Sequence, residues 1–443
     1  MHIRPIIVDM LPHFSLALLV LLVLSGCSTL PASINDLITE TSASPTEAAI
    51  TVPSHPTETN SPVKITSTPA LVQNTLPSPI IEPSSTIKHE KKTPSLSTLQ
   101  VINRTNINKI VPLWQLESLN GQDEEKPTSF VFHPDGKRIA FLDNNKISLL
   151  DLETAKITQI FSMVPMFAEV SQPKICNWLF SPGGNRLAAS TSQGLVLWDV
   201  STGEALWKAD SGNAENYSPE IDAAGITSID FSPGGDFLVT TSIQYGSDIR
   251  VWSAQTGKLI KEFGQPNQLD ASFSPDGTLL YTVDRVSAEE AIRIWDTQTW
   301  QQTGVVNIPR QATRIFISPN GKQIIVGHMD VDRSTRALEL FSLDEWKQLG
   351  LIEDRDPASM YQKEFIAVDF NRDWEIVAFV TAEIIDETAK QVQLWDLANQ
   401  THLRDLEDNV SSSLWLVRFS PDGRLLATQS ENGITTFWGV PMQ

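Results

Sequence analysis

A chain of 443 residues has room for two ordinary domains, and its net charge of −20, with an isoelectric point near 4.7, argues against nucleic acid as a partner. Affinity for phosphate comes mostly from Lys and Arg contacts that release counterions. An acidic chain suits instead a soluble body that must not adhere to anionic surfaces. The two cysteines, Cys27 and Cys176, leave no disulfide framework once Cys27 is used as described next.

Residues 14–24 form an apolar run with one Ser and no charge. The run is too short to cross a bilayer, which takes about 20 residues, and has the length of a signal-peptide core. Arg4 and His2 make a thin basic start, and Met10 is an alternative first residue. Leu24-Ser25-Gly26-Cys27 follows directly. This resembles the cleavage box of bacterial lipoproteins. The resemblance implies that 1–26 is a lipoprotein signal peptide, cut before Cys27, and that Cys27 carries a diacylglycerol thioether and an acylated amine. The chain is then expected in the cell envelope, held to a membrane through Cys27, because several acyl chains anchor stably where one is marginal. Ser28 stands where, by resemblance to enteric lipoproteins, an Asp would retain the protein at the inner membrane. An ordinary signal peptide or membrane helix with an incidental Cys is the alternative.

Residues 27–104 are a different material. Ser, Thr and Pro dominate, as in Pro53-Ser54-His55-Pro56-Thr57, and apolar residues follow neither helix nor strand period. Such a segment cannot bury enough surface to offset its ordering entropy. It reads as a disordered Ser/Thr/Pro-rich tether with a reach of about 50 Å.

From 105 to 443 the chain repeats a phrase: an apolar residue, x-Pro-x-Gly, an apolar strand, then Trp-Asp or a near copy. It appears as Phe132-His133-Pro134-Asp135-Gly136, as Phe180-Ser181-Pro182-Gly183-Gly184, and starting at Phe231, Phe273, Ile317 and Phe419. A degraded copy, Phe370-Asn371-Arg372-Asp373-Trp374, fills the one long gap. The spacing, roughly 40 to 55 residues, is that of four-stranded propeller blades. Pro fixes φ and Gly allows φ > 0, so each pair marks a hairpin turn between strands a and b. Alternation such as Ile249, Val251 predicts half-buried antiparallel strands.

The third-strand endings Trp198-Asp199, Trp252-Ser253, Trp295-Asp296 and Trp395-Asp396 resemble the WD-repeat β-propeller family, as do the turns Thr202-Gly203 and Thr256-Gly257. The resemblance implies an all-β fold, a seven-bladed β-propeller of four-stranded antiparallel blades. There are two departures. The family's Gly-His pair before strand a is absent, so its buried His-Ser-Asp-Trp hydrogen-bond network is not expected, and the sixth repeat lacks its Pro-Gly turn. The Ser-Pro-Asp-Gly turns also resemble the periplasmic propellers of the Tol system, which usually have fewer blades. The seventh repeat ends at strand c, residues 434–440, and would keep a raw edge. Residues 107–116 have strand character and are expected to pair there and close the ring, with Pro112 tolerable on an outer edge strand.

The a–b and c–d turns are short and uniform and line one face of the disc. The b–c and d–a loops vary and line the other, where repeat proteins place binding. The long ones are 243–248, 285–291, 328–336 and 383–391, and 165–174, 211–225 and 353–364. Tyr217, Tyr245 and Tyr361 with Arg285, Arg333 and Arg336 are the candidate anchors for an unidentified protein partner. The catalytic and metal signals are poor. No Gly-x-Ser-x-Gly elbow occurs, no His/Cys spacing suits zinc, and Asp330-Val331-Asp332 lacks the later ligands of a calcium loop. His328 beside Asp330 is the one candidate pairing in a variable loop. Cys176 reads as a buried, inert thiol, and the recurring tryptophans as packing between blades. No catalytic residue, metal or cofactor is assigned. The expected function is a non-catalytic protein–protein interaction scaffold. The alternatives are a propeller hydrolase or lactonase with a metal or carboxylate site at the channel mouth, and a saccharide or peptide sensor.

Overall fold

The computed structural model describes residues 95–116, 129–143, 146–162, 175–191, 194–210, 226–242, 249–264, 268–284, 291–308, 311–329, 336–353, 363–383, 391–407 and 413–442. The strands among them form seven antiparallel sheets, the blades of one propeller. In blade 1, strands a to d are Phe130–Phe132, Arg138–Asp143, Lys146–Asp151 and Lys156–Ser162. Blade 2 holds Ile175–Phe180, Arg186–Thr191, Gly194–Asp199 and Ala205–Asp210. Blade 3 holds Ile226–Phe231, Phe237–Ser242, Ile249–Ser253 and Leu259–Phe263. Blade 4 holds Gln268–Phe273, Leu279–Asp284, Ala291–Asp296 and Gln301–Asn307. Blade 5 holds Gln311–Ile317, Gln323–Met329, Arg336–Ser342 and Gln348–Glu353. Blade 6 holds Lys363–Phe370, Ile376–Glu383, Gln391–Asp396 and Thr401–Glu407. Blade 7 takes Leu414–Phe419, Leu425–Ser430 and Thr435–Pro441 as strands a to c, and Val111–Leu116, which precedes blade 1 in sequence, as strand d.

The repeated phrase makes its turn in the same way wherever a serine follows the opening apolar residue. In blade 2 the Gly184 amide donates to the Ser181 carbonyl at 2.8 Å, and the Ser181 hydroxyl accepts the Arg186 amide at 3.1 Å. Ser232, Ser274, Ser318 and Ser420 hold their turns likewise. The sixth repeat has lost the motif but keeps the geometry. Asn371 Oδ1 accepts the Glu375 and Ile376 amides, both at 2.8 Å, and Trp374 takes the glycine's left-handed position at φ 56°. A bulky side chain at positive φ is strained, and stacking of the indole on Phe370, with centroids 4.2 Å apart, offsets that strain.

Apolar side chains from strands a to c fill the seams between blades. Leu187, Ala189 and Trp198 of blade 2 pack on Ala140, Leu149 and Phe161 of blade 1, and Leu280 and Trp295 of blade 4 pack on Val239 and Val251 of blade 3. The outer strands alternate between half-buried and exposed residues, as in Lys156–Ser162.

The two ends of the described residues meet in blade 7. Strand Val111–Leu116 pairs antiparallel with Thr435–Pro441, Val111 opposite Gly439 and Leu116 opposite Thr435. Pro112 sits where the register shifts, on the outer edge, where its missing N–H breaks no ladder bond. Two corrections follow. Residues 107–109 form a 3-10 turn, so the closing strand begins at 111. The folded body also begins before residue 105: Leu96, Leu99 and Ile102 are buried in the core that blade 7 shares with blades 1 and 6. Leu99–Gln100 adds a short strand against Val440 and Pro441, and the Ile102 amide donates to the Gly423 carbonyl at 2.8 Å. The three apolar residues stand three apart, the spacing of one buried side on a wrapping segment, in a stretch whose Ser and Thr content disguises it.

Candidate interaction face and channel wall

Strand order fixes which segments share a face. With a, b, c and d antiparallel in turn, a–b and c–d connections lie at one end of every blade, and b–c and d–a connections at the other. The uniform face is described in full. There the Asp ending strand c is a turn cap: Asp199 Oδ1 accepts the Ser201 and Thr202 amides at 2.8 and 3.0 Å, and Asp296 Oδ1 those of Gln298 and Thr299 at 3.1 and 2.7 Å. Hydrogen bonds from the Ser201 hydroxyl and the Thr202 amide hold Asp199 below the usual carboxylate range. These aspartates are consumed by local structure. The N-terminal segment crosses this face at blades 6 and 7, where Arg104 approaches Glu375 and Asp396, each at 3.4 Å.

On the opposite, variable face, Tyr217, Tyr245, Arg285, Arg333 and Tyr361 lie outside the described residues, as do Asp330, Asp332 and Cys27. Arg336 opens strand c of blade 5, opposite Met329. The backbone thus sets Arg336 at the rim of that face without showing the six anchors assembled. Cys176 stands in strand a of blade 2.

His328 corrects the sequence reading. It belongs to strand b of blade 5, not to a loop, and is buried with its Nε2 2.9 Å from Glu339 Oε2. The contact lies inside the blade, and Asp330, the partner suggested by spacing, is outside the described residues. His133, on the uniform face, contacts the Gly184 carbonyl at 2.8 Å and braces blade 1 against blade 2.

The absent His-Ser-Asp-Trp network also needs correction, because half of it is present. The Trp252, Trp295 and Trp438 indole N–H groups donate to Thr240, Thr282 and Thr428 at 3.1, 3.0 and 3.0 Å. Each threonine lies two residues beyond the strand-b partner of its tryptophan. Blades 2 and 6 carry Ala189 and Phe379 at that position, and Trp395 turns to Gln393 Oε1 at 3.0 Å. The tryptophans pack between blades and form no open cage.

The inner strands hold a feature that the motifs did not mark. Asp230, Asp270 and Asp369 stand on strand a of blades 3, 4 and 6, and each carboxylate accepts a backbone amide from the next blade. The donors are Phe273 at 3.1 Å, Ile315 at 2.9 Å and Phe419 at 2.6 Å. Number each strand a back from the apolar residue that opens its turn. Asp230 and Asp369 are then one residue before it, and Asp270 is three before. The donor always follows the residue of equal rank on the next blade, so one geometric rule serves three seams. That residue is Ser272 after Asp230, Arg314 after Asp270 and Arg418 after Asp369. Burial pushes Asp270 and Asp369 up, opposed by the charges of Arg314 and Arg418 respectively. Asp230 is pushed up to about 7, first by burial and further by the charge of Asp270. The signal was in the sequence, as Asp or Arg just before the turn phenylalanine, but nothing marked it as an inward position. No group of three or more His, Cys, Asp or Glu arranged for a metal occurs among the described residues.

Residues 220–253 match the family "WD domain, G-beta repeat", across the end of one connection and strands a to c of blade 3. The β-propeller domain of Cps50 (Swd1) from Myceliophteria thermophila superposes with a TM-score of 0.56 at 14% identity, covering 72% of this chain and 99% of that one. No curated protein matches the sequence. The chain is a seven-bladed β-propeller in which one repeat matches the WD domain, and the structural neighbour shares the propeller fold.

Proposed function

We propose that this chain is a lipid-anchored protein of the cell envelope whose propeller is a non-catalytic scaffold, binding a protein partner on its variable-loop face. The carrying observation is where the described polar groups are spent. Trp-Asp endings cap turns or bridge strands, channel carboxylates join blades, and the buried histidines close inside the protein. None of these is left as a nucleophile with its base. Segments of unequal length gather on the opposite face, with Tyr217, Tyr245, Tyr361, Arg285, Arg333 and Arg336 as its candidate anchors. The Leu24-Ser25-Gly26-Cys27 box supports the anchor at Cys27 and export of the propeller.

Affinity capture from detergent-solubilised envelopes tests the scaffold. The bait is residues 85–443, beside a second bait with glycine-serine replacements of 285–290, 330–335 and 384–390. A protein held by the first and lost by the second is the expected result. Capture by neither removes the reading. Metabolic labelling with a fatty acid, lost in Cys27→Ala, tests the anchor. The charged inner wall of blades 3 to 7 is the observation that favours the hydrolase alternative. Against it, each described carboxylate there is already bonded to a neighbouring blade.

A further inference from the structure

The seam between blades 3 and 4 differs from the other two carboxylate-bridged seams in one respect. Where Asp270 and Asp369 meet an arginine of equal rank on the next blade, Asp230 meets Ser272. The contact is reciprocal. The Ser272 hydroxyl donates to Asp230, and one step further along the wall the Ser228 hydroxyl of blade 3 donates to Asp270 of blade 4. The two carboxylates therefore face each other across one seam, tied by two hydroxyls and by the Phe273 amide, while the Ile315 amide of blade 5 holds Asp270 from its other side.

We propose that the seam between blades 3 and 4 is a proton-operated joint, in which Asp230 holds a proton while the seam is closed and releases it when the inner strands part. The titratable group facing Asp230 is Asp270. Arg314 stands on the far side of Asp270, on blade 5. The blade 2 side offers Asn177 and Leu179 at the corresponding ranks, and the remaining neighbours are the two hydroxyls and the Phe231 and Phe273 amides. No described cation compensates Asp230 itself, which is half-buried by its accessible surface, and two like charges facing each other across one seam resist ionising together. The carboxyl is held up to about 7, by burial first and then by Asp270, whereas in a parted seam it returns toward the ordinary range near 4. Opening therefore releases a proton between those limits. The seam is tightest below about pH 4, loosens as pH rises to about 7, and changes no further above that.

Hydrogen exchange of the full-length chain in detergent tests this, corrected for intrinsic rates and followed on the peptides covering Ile226–Phe231 and Gln268–Phe273. Between pH 5.5 and 7 the opening equilibrium of both strands is expected to rise about tenfold or more, since one proton released gives up to tenfold per pH unit. Leu414–Phe419, at the seam where Arg418 opposes the burial of Asp369, is the comparison strand and is expected to change less. Asp230→Asn keeps the acceptor for the Phe273 amide and removes the charge, so its exchange is expected to be clearly flatter than the parent's over that range. Ser272→Arg supplies the cation that the other seams have and is expected to flatten it as well. A parent whose strands exchange independently of pH overturns the proposal, and so does an Asp230→Asn chain that keeps the parent's dependence. If Ser272→Arg does not fold, the nearly isosteric Asp230→Asn decides alone.

Discussion

Replacing Ile102 with Ala separates two accounts of where the folded protein begins. By composition, residue 102 belongs to a solvated tether, where a substitution changes stability by no more than about 0.5 kcal/mol. In the structure Ile102 is 0% exposed, within a core built also from Leu99, Trp114, Phe419 and Phe437. Its amide bonds to Gly423, and its carbonyl accepts the Asn371 side chain at 3.2 Å, so the backbone cannot follow a shrinking side chain inward. A large-to-small change at such a rigid, buried site costs about 2 to 5 kcal/mol, the lost transfer energy plus the cavity left behind. Urea unfolding followed by tryptophan fluorescence reads the difference. The midpoint should fall with an unchanged slope, while Ser97→Ala, at an exposed neighbour in the same segment, should leave it within about 0.5 kcal/mol. An Ile102→Ala chain as stable as its parent refutes the placement of this segment in the core.

Three further outcomes are expected from the same unfolding assay. Thr282→Val leaves the buried Trp295 N–H without its acceptor and should cost about 1 to 3 kcal/mol, whereas Thr282→Ser, which keeps the oxygen, should cost less; equal losses would show that the bond is immaterial. Gly184 and Gly235 both sit at positive φ, but a Cβ at 184 would lie 2.5 Å from the His133 ring, while 235 faces open space. Gly235→Ala should cost about 1 to 2 kcal/mol for the backbone alone, and Gly184→Ala more, the excess vanishing in a His133→Ala background. Trp374→Gly relieves about 1 to 2 kcal/mol of backbone strain but deletes a ring stacked on Phe370, worth about 3 to 5 kcal/mol. A net loss of about 1 to 4 kcal/mol is expected, and a gain would show that the indole is not the reason for the strained turn.

Much of the architecture was legible because its determinants are local. A Pro-Gly turn fixes dihedral angles within four residues, alternation marks which side of a strand is buried, and both recur at blade spacing, so Phe180, Trp198, Phe273 and Trp295 report their positions without reference to anything distant. The missing outer strand of blade 7 was legible too, because an unpaired edge at the chain's end demands a partner and residues 111–116 are apolar enough to supply one. Contacts made across blades escaped a linear reading. Leu96, Leu99 and Ile102 look like tether until the Gly423 turn, more than 300 residues away in sequence, is beside them. His328 appeared to belong with Asp330, two residues on, but strand pairing turns it inward to Glu339. Asp230 carries no motif. Its bond to the Phe273 amide, and the serine where sister seams have arginine, exist only once two inner strands stand side by side on the channel wall. Sequence alone determined the repeating unit, because each blade is encoded by short-range geometry. Tertiary structure alone decided which polar residues meet, because charge and hydrogen-bond partners depend on through-space neighbours that ring closure brings together.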